Sequence, residues 1–181
     1  MNRGIVWVFA LWVCVGEGIS LAASGAVARI GDSDDSVELS QQIDGRTVVD
    51  TVPLYHAGSI RYFSAGIGIE ERSAEYPPFS LKLVFTEGGK PYLAGVAVTI
   101  YPAREGPSIT IPLDHVNGPW LFVDLPSGTY GLSATHGDRT QVLKRVTVET
   151  GKMKTVYLRW PEQRGSAASF GEEVVDKPLE R

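Results

Sequence analysis

Cysteine is almost missing from the 181 residues: Cys14 is the only one. An intramolecular disulfide is therefore impossible, which excludes the small cross-linked scaffolds and leaves apolar burial to hold any fold together. Histidine is scarce too. His56, His115 and His136 form no His-x-His or His-x-x-x-His pair, so a metal site would have to be assembled from distant parts of the chain. Positive charge is in short supply, with 17 Lys and Arg against 21 Asp and Glu, a net charge of -4 and a pI near 5.4. That balance offers no basic face for nucleic acid. Beyond residue 15 no long apolar run occurs, and the run from Ile5 to Val15 is shorter than the roughly 20 residues that cross a bilayer.

What is present at the start has the layout of an export signal. Arg3 supplies a positive end and Ile5 to Val15 an apolar stretch containing Cys14; Gly16, Gly18, Ser20, Ala22 and Ala23 then supply small residues. Residues 1–23 read as a signal peptide, with cleavage as late as residue 28 left open by a second small-residue site at Ala26-Val27-Ala28. The mature protein is then expected in the periplasm or outside the cell, with no membrane span after processing. Residues 24–58 are polar and irregular and read as a flexible leader, with a turn at Asp44-Gly45 and an extended segment near Thr47 to Leu54. Asp32, Asp34, Asp35 and Glu38 crowd together there. The glycine and distal glutamate of an EF-hand loop are not at their spacings, so the cluster reads as solvated.

From residue 59 to 160 short strands recur at roughly ten-residue intervals, punctuated by many of the 20 glycines and 11 prolines. Phe79, Leu81, Leu83 and Phe85 alternate, as do Val96, Val98 and Ile100, and Leu121, Val123 and Leu125. Between Leu125 and Tyr130, Pro126 presets φ for a turn and Gly128 stands at its fourth position. A tyrosine following such a corner is placed to bond back to upstream backbone. No sustained 3.6-residue period is found past the signal. The expectation is an all-β fold, an antiparallel β-sandwich of about seven strands, followed by a loose tail over 161–181.

Gly89-Lys90-Pro91-Tyr92-Leu93-Ala94-Gly95-Val96-Ala97-Val98-Thr99-Ile100 is similar to the opening of carboxypeptidase regulatory-like domains. Asn117-Gly118, Trp120 and Leu125-Pro126-Ser127-Gly128-Thr129-Tyr130 with Leu132 resemble that family's later strands and corner. The resemblance covers about Phe79 to Leu158 and implies a transthyretin-like, immunoglobulin-like sandwich. Ile60 to Arg72 also resembles the upstream segment of exported bacterial proteins that carry such a domain. In carboxypeptidases the domain accompanies a catalytic domain and carries no catalysis itself. Transthyretin-like folds also include the hydroxyisourate hydrolases, whose terminal Tyr-Arg-Gly-Ser is matched here only by Gln163-Arg164-Gly165-Ser166.

No catalytic residue, metal ligand or cofactor emerges from these patterns; His136 and Asp138 have no Gly-x-Ser-x-Gly elbow to work with. Trp120, His136 and Arg139 stand as binding candidates. Trp120 reads first as the core aromatic of the sandwich and second as a stacking platform for sugars or peptides. The strands Phe79 to Phe85 and Leu93 to Tyr101 could offer an edge for an added strand, although Lys82, Lys90, Pro91 and Pro102 look like protection against that. The expected function is an exported non-catalytic module with a protein or carbohydrate partner in the cell envelope. The alternative is a small transthyretin-like hydrolase or a metal-handling periplasmic protein.

Overall fold

In the strand Trp120–Val123, Leu121 and Val123 enter one hydrophobic core while Phe122 enters a second, with Trp120 packed against it. Alternate residues of a strand leave opposite faces, so a strand greasy at both parities needs a layer on each side. The structure, a computed structural model describing residues 25–89 and 92–162, supplies both. In chain order its elements are β1 (Val27–Ile30), β2 (Ser36–Ile43), β3 (Arg46–Pro53), β4 (Tyr55–Ala57), β5 (Ile60–Ala65), a short helix α1 (Ile69–Ser73), β6 (Leu81–Glu87), β7 (Ala97–Pro102), β8 (Ile109–Ile111), a single 3₁₀ turn (Leu113–His115), β9 (Trp120–Val123), β10 (Gly128–His136), β11 (Arg139–Val148) and β12 (Lys154–Trp160). They form a four-stranded sheet β11-β10-β7-β8, a five-stranded sheet β12-β6-β9-β5-β4 and a three-stranded sheet β1-β2-β3.

The first two sheets make the β-sandwich. Leu81, Leu83 and Phe85 of β6 and Leu121 and Val123 of β9 meet Val98 and Ile100 of β7 and Leu132 and Ala134 of β10, all fully or nearly fully buried. Pairing is antiparallel throughout except between β12 and β6, which run parallel with Lys154 opposite Leu81 and Trp160 opposite Glu87. The strand expected from Leu93 begins only at Ala97, because Gly95 takes left-handed backbone at φ 66°. At the corner, the Tyr130 hydroxyl donates to the Pro126 carbonyl at 2.9 Å, the bond that the Pro-Ser-Gly-Thr-Tyr spacing suggests.

The segment 24–58, expected as a flexible leader, is instead the third layer. Val37 and Leu39 of β2, Ala28 of β1 and Leu54 bury against Phe63, Phe79 and Phe122 on the far face of the five-stranded sheet. Phe63 and Phe122 stack at 4.6 Å and 4°, and Phe79 meets Phe63 edge-on at 5.0 Å. The segment looks polar because only one face of its sheet touches the core and the hairpin beyond Gln41 is exposed, as is β3 over Arg46–Thr51. The acidic cluster, read as solvated, contains a latch. Arg61 bridges Asp34 (3.2 Å) and Asp124 (2.9 Å), and His56 Nε2 donates to the Asp34 carbonyl at 2.7 Å, fastening the β1–β2 loop to the sandwich. The expected signal segment 1–23 and the tail beyond Glu162 lie outside the described residues.

Phe122→Ala should cost about 3–5 kcal/mol, because the cavity opens between two layers that cannot both collapse into it. Tyr130→Phe, which deletes one neutral hydrogen bond, should cost about 1 kcal/mol. Urea denaturation of the two variants against wild type checks both values.

Candidate functional site

The three binding candidates do not converge. Trp120 is half-buried on the side facing the three-stranded sheet, not in the sandwich interior; the tryptophan that fills the interior is Trp160, set edge-on to Phe85 at 6.3 Å. Gly66 sits beneath Trp120, where φ is 95° and a Cβ would lie 2.9 Å from the ring, so the close approach requires glycine. Lys82 Nζ lies 3.2 Å from the Trp120 ring centroid. Lys82 is thus committed to an aromatic face rather than to guarding an edge. Strands β6 and β7 are in any case interior to their sheets, so neither offers an edge for an added strand.

His136 and Arg139 are register partners at the end of the β10–β11 hairpin, and both serve the frame. His136 Nδ1 donates to the Gly95 carbonyl at 3.3 Å. Arg139 pairs with Glu87 at 2.9 Å and donates to the Pro161 carbonyl at 2.6 Å, while its own carbonyl accepts from Trp160 Nε1 at 3.2 Å. His56, His115 and His136 lie in three different surroundings. Among the described residues no group of three or more His, Cys, Asp or Glu is placed to hold a metal ion.

A different constellation gathers in the seam between the three-stranded sheet and the sandwich, a groove of about 190 Å³. Thr51, Val52 and Pro53 of β3, Tyr55 of β4, Ser64 of β5, Ile67, Glu71 of α1, His115 and Asn117 line it. His115 stacks on Tyr55 at 3.8 Å and 7°, and its Nδ1 lies 2.9 Å from the Tyr62 hydroxyl. Burial, and next the charges of Tyr55 and Asp114, push the Tyr62 hydroxyl up from its ordinary value. The Tyr62 hydroxyl therefore keeps its proton beside Nδ1, and the Nε2 edge of the His115 ring has no partner among the described residues.

The groove's floor is rigid. Glu71 accepts from the backbone N–H groups of Gly66 and Ile67, and Arg72 donates to their two carbonyls at 2.7 and 3.0 Å. Arg72 also lies over the Tyr92 ring at 4.6 Å. Ser64, the hydroxyl nearest to a nucleophile in type, is buried and spent: it accepts from the Gly118 N–H at 2.8 Å and faces the Gly118 carbonyl at 3.3 Å. The site thus offers a ring nitrogen at His115, an amide at Asn117, a hydroxyl at Thr51 and apolar contact at Ile67 and Val52.

A wider depression of about 510 Å³ at the tyrosine corner, walled by Pro102, Arg104, Ser127, Thr129 and Arg145, is less built. Its hydroxyls face other hydroxyls, Ser127 toward Thr150 at 3.0 Å and Thr129 toward Thr147 at 3.2 Å. The smaller seam has the more convergent polar groups, which is the property that marks a specific site. Sequence reading missed Tyr55, Tyr62, Glu71 and Asn117, which lie far apart in the chain. A usable signal was the apolar pair Tyr62-Phe63, greasy at both parities. No protein-family model and no curated protein matches the chain, and the reading of the site rests on its geometry.

Burial drops the Lys82 amine from 10.5 to about 8. Between those values the unfolded chain holds a proton that the folded one has lost, so stability should rise as pH goes from about 8 toward 10. Tyr62, Tyr76 and Tyr130, each raised above 10.0 chiefly by burial, reverse the trend beyond that. Denaturation midpoints across this range should climb for wild type and stay level for Lys82→Met.

Proposed function

We propose that the protein is an exported, non-catalytic β-sandwich module that works in the periplasm or at the cell surface of a bacterium and binds a protein or carbohydrate partner there. The observation that carries this reading is the seam groove: a stacked His115–Tyr55 pair on a strapped floor, with one ring nitrogen unspent and the Ser64 hydroxyl beside it already bonded to backbone. Such a surface recognises, by stacking and hydrogen bonding, rather than transforms. The apolar stretch from Ile5 to Val15 supports export, and the single cysteine suits a domain whose layers are held by burial and the Arg61 latch. The similarity of the Gly89–Ile100 and Asn117–Leu132 segments to carboxypeptidase regulatory-like domains supports an accessory role, since that domain leaves catalysis to others.

Co-purification from the native cell envelope, with mass spectrometry of proteins and glycans, tests the reading. Wild type should retain a partner that the His115→Ala/Asn117→Ala variant loses by about tenfold or more in affinity, equivalent to ~1.4 kcal/mol, while the variant stays folded with its melting temperature lowered by only a few degrees. Turnover of an ester or amide that disappears in His115→Ala would replace the proposal with the hydrolase alternative.

A further inference from the structure

Strand β3 is a free edge of the three-stranded sheet, and every residue from Arg46 to Thr51 is exposed, including Val48 at 41% and Val49 at 52%. Long apolar edges normally carry protection, because unpaired N–H and C=O groups template the addition of another strand. Here the register of the hairpin settles which groups are unpaired. The two-residue turn Asp44-Gly45, with φ 50° and 74°, closes on the pair Ile43 and Arg46. That is a type I′ turn, whose closing pair exchanges both hydrogen bonds. Alternation then directs the backbone groups of Arg46, Val48 and Asp50 toward β2 and those of Thr47, Val49 and Thr51 away from it. Thr51 confirms the direction, since its N–H is taken by the Asp50 carboxylate at 2.8 Å instead of by β2.

We infer that this edge pairs with the same edge of a second copy of the chain, antiparallel about a two-fold axis at Val48. In this register Thr47 and Val49 exchange hydrogen bonds with Val49 and Thr47 of the second copy. Val48 then faces Val48, and Arg46 faces Asp50 twice, because a two-fold interface repeats every contact. The charges select the register. Centring the axis on Val49 would set Arg46 against Val52 and Asp50 against Val48, and a shift by one residue would turn outward groups against inward ones. Arg46 has no ionic partner among the described residues, and one carboxylate oxygen of Asp50 remains open while the other holds Thr51. Opposite charges directly across a strand pair stabilise it, and like charges there oppose it. A strand whose two charged residues complement themselves under a two-fold operation fits its own copy better than an unrelated strand.

Sedimentation velocity of the full chain over a concentration series should show a monomer–dimer equilibrium. Arg46→Asp and Asp50→Arg should each weaken it by about tenfold, since each places like charges opposite one another twice, and combining the two should restore it. In a Cys14→Ser background, Val48→Cys should cross-link to a dimer under mild oxidation, because residues facing each other in a non-hydrogen-bonded pair lie within disulfide reach. Val49→Cys should not, since its two copies lie on a diagonal. A chain that stays monomeric up to millimolar concentration, a double charge variant that folds yet does not recover association, or cross-linking through Val49→Cys in preference to Val48→Cys would each overturn the inference.

Discussion

The structure depends on a sheet that is buried on both sides. In β5 and β9 successive residues feed two different cores: Tyr62 and Leu121 look into the sandwich, while Phe63 and Phe122 look into the space beneath the three-stranded sheet. Antiparallel sheets usually leave one face to water, and their sequences then alternate apolar and polar. Here neither face can be left uncovered, because removing one layer would hand water a cluster of stacked phenyl rings and removing the other the aliphatic interior of the sandwich. The four-stranded sheet and the β1–β3 sheet are thus two answers to one demand. Without a disulfide, each must be held by its own contacts. On the sandwich side that hold is aliphatic and extensive; on the other it is aromatic, supplemented by Arg61 gripping Asp34 and Asp124.

The candidate site follows from where the third layer stops. The β1–β3 sheet covers Phe63 and Phe122 but leaves a seam beside α1 and the 3₁₀ turn, and there the chain sets polar groups from widely separated positions against an apolar wall. The side chains around the seam divide cleanly. Glu71, Arg72 and Ser64 are spent on backbone groups and hold the loops still. His115, oriented by Tyr62 and stacked on Tyr55, is held rigidly yet keeps one nitrogen unspent. Rigid presentation of a few unspent groups lowers the ordering cost of association, which suits recognition. His136 and Arg139, chemically more suggestive in the sequence, are frame pieces because Trp160 and the end of β12 need them there.

Much of the sandwich could be read from residue order. Leu81 to Phe85, Thr140 to Val148 and Thr155 to Trp160 lie in strands as expected, whereas Phe79 precedes β6 and turns into the other core; Tyr130 bonds back to Pro126 as its corner suggests. The third layer was hidden by its composition. A sheet that buries one face along half its length shows only Val37 and Leu39 as regular apolar signals, diluted by Ser36, Glu38, Ser40 and Gln42 at the other parity. Trp120 was misplaced for a related reason: alternation says that it leaves the strand opposite Leu121, but not whether water or another layer waits there.

Residue order by itself determined local geometry: strand against helix, the turn at Asp44-Gly45, the back-bond of Tyr130 at its corner, and the reliance on burial in a chain with one cysteine. These are set by each residue and its near neighbours, through steric limits on φ and ψ and the two-residue period of a pleat. Only the tertiary structure decided that β12 runs parallel to β6, that 24–58 folds back as a layer, and that His115 meets Tyr55 and Tyr62. Those outcomes join residues tens of positions apart. They are governed by which surfaces can exclude water together, a property of the assembled whole that no local stretch of sequence carries.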